Sequence, residues 1–80
     1  MIPEAAAALS DDDLAHAFGR HAGEAKGHLY QAADMVLTEQ ESAISRLASA
    51  LESISAMRGL LAELQERREM REMARGDSNE

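Results

Sequence analysis

The side chains in this sequence best equipped for chemistry are two histidines and the glutamate between them. His21, Glu24 and His28 fall at i, i+3 and i+7, close to one face of a helix, and imidazole with carboxylate is a reasonable ligand set for zinc. The spacing matches no familiar site, however, and it lies in a glycine-rich stretch. The expectation is therefore solvated side chains, with no metal and no other cofactor. Catalysis has no better footing. No serine or threonine has a recognisable base within a helical turn in a motif context, there is no cysteine, and no phosphate-cradling glycine loop is followed by Lys-Ser/Thr. Arg67, Arg68, Arg71 and Arg75 could grip phosphate, but Glu63, Glu66, Glu69 and Glu72 are interleaved with them, which reads as a solvated helix face. A protein that is not an enzyme, and that acts by binding, is expected.

The elements that must carry these residues are helices. The hydrophobic 45% is mostly alanine, leucine, isoleucine and methionine, with Phe18 and Tyr30 the only aromatics, so helix formers abound and strand formers are scarce. Residues 1–80 make one small all-α domain. Met1 to Leu9, with Pro3 and an alanine run, is expected to be a loose lead-in, and residues 76–80 a frayed tail. Between them the start signal is sharp. Ser10 can cap a helix, Asp13 stands three residues on as in a capping box, and Leu9 can staple to Leu14. Asp11, Asp12 and Asp13 then occupy the first turn, where the helix dipole favours acids.

Gly19, Gly23 and Gly27 recur every fourth residue, at roughly 1 kcal/mol each relative to alanine in a helix. They predict a stop near Gly19 in preference to the alternative, a glycine face that lets a second helix approach closely. From Gly27 to Ala74 there is no proline. With Ile44 at heptad position a, the a and d positions read Tyr30, Ala33, Leu37, Gln40, Ile44, Leu47, Leu51, Ile54, Arg58 and Leu61, of which eight in ten are apolar or aromatic. Thr38 with Glu41 could cap a second helix and make a hairpin. The unbroken register across Thr38 favours instead a short N-terminal helix followed by one long heptad-patterned helix, with the hairpin turning near Thr38 as the alternative.

A chain this short, without disulfides, needs some supplement to its core. Leu14 and Phe18 cannot cover a stripe of this length, so a homodimer is expected, as a helical bundle or coiled coil, with Tyr30, Ala33, Leu37, Ile44, Leu47, Leu51, Ile54 and Leu61 at its interface. Gln40 and Arg58 interrupt the stripe and could fix its register.

The formal charge is −7, and it is uneven: residues 1–42 hold eight acids against Arg20 and Lys26, while residues 43–80 hold seven acids against six arginines. Such a charge opposes direct binding to nucleic acid or to an anionic membrane and favours a basic partner, on a protein or nucleoprotein complex. Asp11, Asp12, Asp13, Glu24, Asp34, Glu39, Glu41 and Glu52 are the candidate contacts; the competing reading is a solvated face that keeps the protein soluble. Glu41, Glu52 and Glu63 repeat every eleven residues, returning to nearly the same helical angle. No apolar run is long enough to span a bilayer, and the first residues lack the basic flank of a signal peptide, so a cytoplasmic protein is expected.

In size, charge and the clusters Asp11-Asp12-Asp13 and Asp34 to Glu41, the chain resembles the small acidic helical inhibitors that phages use against host machinery, those of the anti-CRISPR kind among them. The resemblance implies a stoichiometric block of target-DNA binding, with the acids opposite the lysines and arginines that hold the duplex. A second resemblance is to the small helical co-chaperones of bacterial secretion systems. That one implies an adaptor whose apolar stripe covers a partner's helix.

Overall fold

The computed structural model describes residues 8–78. Ser10 opens the first helix as expected: its backbone is extended and its hydroxyl oxygen accepts a hydrogen bond from the Asp13 N–H at 3.1 Å. Helix α1 then runs Asp11–Met35, and helix α2 runs Gln40–Ser78. Residues 1–7, on which most of the expected lead-in falls, and residues 79–80 lie outside the described residues; Leu9 packs against the first buried leucine, as the staple requires.

Two expectations about the backbone are overturned. The glycines do not end the first helix, which passes through Gly19, Gly23 and Gly27 without a positive φ. Leu14 is buried before Gly19, and Ala25 and Ala32 after it, so a break there would swing one of these contacts out. Nor does the glycine face receive a second helix, since a Cβ built on any of the three meets nothing within 4 Å. Tertiary packing outweighs propensity here.

The single long helix is also replaced, by the hairpin. Residues 36–39 form a tight turn in which the Thr38 and Glu39 N–H groups donate to the Met35 carbonyl at 3.2 and 2.8 Å. The Gln40 side chain donates to the Val36 carbonyl at 3.0 Å. The first bond of α2 runs from the Ala43 N–H to the Glu39 carbonyl at 2.9 Å, placing the capping position at Glu39, one residue beyond Thr38.

The two helices lie antiparallel along a seam with two characters. At the open end Leu14 is fully buried against Leu60, with Leu9, Ala17, Phe18 and Leu64 around them. Toward the turn the buried residues are small: Ala25 and Ala32 on α1, Ala43, Ala50 and Ser53 on α2. The molecule measures 64 × 21 × 18 Å, two helices thick in one direction and one in the other. Leu14 is the only large side chain fully buried among the described residues. None of the described helices is long and apolar enough to cross a membrane.

Candidate binding surfaces

The seam fixes which way every other residue faces. On α1 the buried and half-buried positions include Asp11, Leu14, Phe18, His21, Ala25, His28, Ala32 and Met35, with Ala17 and Ala22 half-buried beside them; on α2 they include Ala43, Arg46, Ala50, Ser53, Met57, Leu60, Leu64 and Arg67. Both series follow heptad spacing. A residue one place later is rotated by about 100°, and because the helices are antiparallel the later neighbours on both fall on one side of the hairpin. The earlier neighbours fall on the other. An open depression agrees with this assignment: it is lined by Glu24, Ser49 and Glu52, each one place before a seam residue, together with His21, His28 and Ser53 of the seam.

The two sides differ in chemistry. The later-neighbour side carries Ala22, Leu29 and Ala33 from α1, Val36 just past its end, and Ile44, Leu47, Leu51, Ile54 and Leu61 from α2. Ile44 is 66% exposed and Leu51 65%, so this is an uncovered aliphatic surface. From Ala15 to Val36 and from Ile44 to Leu61 it includes no carboxylate and two cations, Lys26 and Arg58. The Lys26 ammonium lies 5.7 Å from the centroid of the Tyr30 ring, a cation–π distance that draws its charge toward the outer edge.

The opposite side carries Asp13, Glu24, Asp34, Glu52, Glu63 and Glu66, with Arg20 the one base at these positions. Asp13, Glu24 and Asp34 succeed one another along α1 at steps of about 15–17 Å of helical rise. Glu52 joins Glu24 in the same depression. Of the other acids singled out in the sequence, Asp12 is exposed in the first turn of α1, and Glu39 and Glu41 are exposed at the turn end of the hairpin.

Asp11 is turned inward. Its carboxylate accepts hydrogen bonds from Arg67 Nη1 at 2.9 Å and Arg71 Nη1 at 3.1 Å. The Arg67 bond first, and then the Arg71 bond, hold the Asp11 carboxyl below its ordinary range. Arg67 Nε also donates to Glu63 at 2.9 Å, and the bonds to Asp11 and Glu63 raise the Arg67 pKa. Glu63 is thereby engaged with α2's own arginine, and Arg68 pairs with Glu72 at 3.2 Å.

His21, Glu24 and His28 do line one depression, but not as a ligand set. His21 Nδ1 hydrogen-bonds Glu24 Oε1 at 2.9 Å, and His28 Nδ1 is enclosed without a hydrogen-bond partner. Among the described residues no three histidine or acidic side chains converge closely enough to hold a metal ion.

The stripe of large aliphatics on α2 is present as a stripe, yet it is not the seam of the hairpin. Ile44, Leu47, Leu51, Ile54 and Leu61 each sit one residue beyond the seam, facing outward, and Ala33 falls in line with them, while Tyr30 on α1 and Leu37 in the turn lie two residues beyond the seam, out of line. Leu29 of α1 and Val36 at its C-cap, which the single-helix heptad passes over, extend the aliphatic surface. Their signal appears only once two helices are placed side by side. Comparison with protein-family models, curated proteins and solved structures gives no match to this chain.

Proposed function

We propose that this chain is a non-enzymatic binding protein whose acidic side occupies a basic surface of a protein or nucleoprotein complex, in competition with nucleic-acid phosphates. The observation that carries the reading is the segregation of charge: carboxylates line one side of the hairpin while the other side, over most of its length, has none. A net charge of −7 on 80 residues steers such a surface toward cationic partners and away from nucleic acid itself.

A second reading, a helical adaptor that covers an apolar helix of its partner, is favoured by the exposure of Ile44, Leu47, Leu51 and Leu61. Pull-down from cells that carry the gene, followed by mobility-shift titration of the captured complex with DNA, separates the two. Competition predicts that the chain displaces DNA stoichiometrically. It also predicts that lysine at Glu24, Asp34 and Glu52 abolishes the displacement, and that the effect weakens as added salt shortens the Debye length from about 8 Å toward 3 Å. Binding that is indifferent to salt and to those reversals, but lost on Leu61→Glu, would sink the competitor reading in favour of the adaptor.

A further inference from the structure

The aliphatic side of the hairpin exposes more large apolar surface than the seam encloses. Of the six buried apolar residues among those described, four are alanines. A two-helix chain with so small a core is marginal by itself, so whatever covers Ile44 to Leu61 must be present whenever the protein is folded. Only another copy of the chain meets that condition unaided.

We propose that two hairpins pack through this side as an antiparallel four-helix bundle, α2 lying against α2 of the second copy with Leu51 near the two-fold axis. Three observations support that occupant and that direction. The first is area. Leu29, Val36, Ile44, Leu47, Leu51, Ile54 and Leu61 expose between 36% and 66% of their surfaces, roughly 600–700 Å² per copy, close to the about 800 Å² per partner of a stable interface.

The second is the placement of like charge. Each copy carries −7, but the carboxylates of Asp13, Glu24, Asp34 and Glu52 face away from this side, so pairing holds the two acidic surfaces on opposite outer faces of the bundle. The third is the cation within the α2 stripe, Arg58; Lys26, the other cation on this side, lies against the Tyr30 ring. With Leu51 at the axis, Arg58 lies across from the partner's Ile44 and within one helical turn of the partner's Glu41, a favourable pair repeated by symmetry. Parallel packing would set Arg58 against its own copy. The proposal is independent of what the acidic side binds.

The test uses the full chain, which has no cysteine, with Leu51→Cys and Leu61→Cys made separately. Mass by sedimentation equilibrium at micromolar concentration should be twice the 8.7 kDa of one chain. On oxidation Leu51→Cys should form a disulfide-linked dimer, because residues at the axis approach the Cα separation a disulfide needs, about 4.4–6.8 Å. Leu61→Cys should not, its two copies standing about 30 Å apart along the helices. Leu51→Glu should weaken association on the order of a hundredfold or more by bringing two unpaired charges together at the axis. A wild-type monomer with full helicity overturns the proposal, as does a dimer in which Leu61→Cys crosslinks or Leu51→Cys fails to.

Discussion

Replacing Gly23 and Gly27 with alanine should make this protein more stable, although two glycines at helical spacing would ordinarily suggest a requirement for glycine. Neither position has the left-handed backbone that would strain an alanine, and the added Cβ at each meets nothing within 4 Å. What remains is backbone entropy. Alanine in the interior of a helix is favoured over glycine by about 0.8–1 kcal/mol per site, so the pair gains about 1.5–2 kcal/mol.

For a domain of this size 1 kcal/mol moves the midpoint by about 4–8 °C, and the double variant should melt on the order of 10 °C higher. The measurement is urea and thermal unfolding followed by circular dichroism, with both proteins at one concentration, since association makes the midpoint concentration-dependent. Gly19 is left alone because it lies one place beyond Phe18, on the aliphatic side. A double variant that melts at or below the wild-type temperature would refute the reasoning. It would mean either that α1 bends at the glycines or that another surface approaches them closely.

Leu14→Ala removes the one large side chain that is fully enclosed among the described residues and should cost about 3 kcal/mol, within the range for leucine truncation in a core, read as a lower urea midpoint; a loss under about 1 kcal/mol would show that the open end of the hairpin is not packed as described. The Asp11 carboxyl is held below its ordinary range by its bonds to Arg67 and then Arg71, so its contribution is present above the unfolded pKa of about 3.9 and is lost as pH falls toward the folded value. Asp11→Asn should therefore make stability fall less steeply below pH 4, whereas an unchanged acid limb in a pH series of melts would show that the clamp does not form in solution.

Much of this architecture is written in local chemistry. The cap at Ser10, the Leu9 staple, the acidic first turn and the all-helical class follow from residue types at short spacing, and each is found. The hairpin is not written in local chemistry, for two reasons. Its turn contains neither glycine nor proline: Val36, Leu37, Thr38 and Glu39 offer no breaker. In addition, α2 carries two heptad stripes one residue apart, a bulky one through Ile44, Leu47, Leu51 and Ile54 and a small one through Ala43, Ala50 and Ser53. Pattern reading weights the bulky stripe because large side chains bury more area. The small stripe forms the seam of the hairpin. As for the candidate sites, periodicity marks Ile44 to Leu61 as a stripe and includes Ala33, but it passes over the exposed Leu29 and Val36, and it could not show that Asp11 would be engaged from 56 residues away.

The small residues of the seam also bear on how the hairpin keeps its alignment. Alanines repeating every seven residues look nearly the same after a slip of one heptad, about 10 Å along the axis, so the stretch from Ala25 to Ala32 against Ala43 to Ala50 does little to tell one register from the next. Alignment is set at the two ends, by a turn too short to feed slack into either helix and by Leu14 with Asp11 locking onto Leu60, Arg67 and Arg71. Chain length in the turn is thus a register adjustment. Residues inserted between Leu37 and Thr38 would let α2 slide against α1 by whole heptads, carrying Leu60 away from Leu14 and drawing the aliphatic and acidic sides out of step with one another.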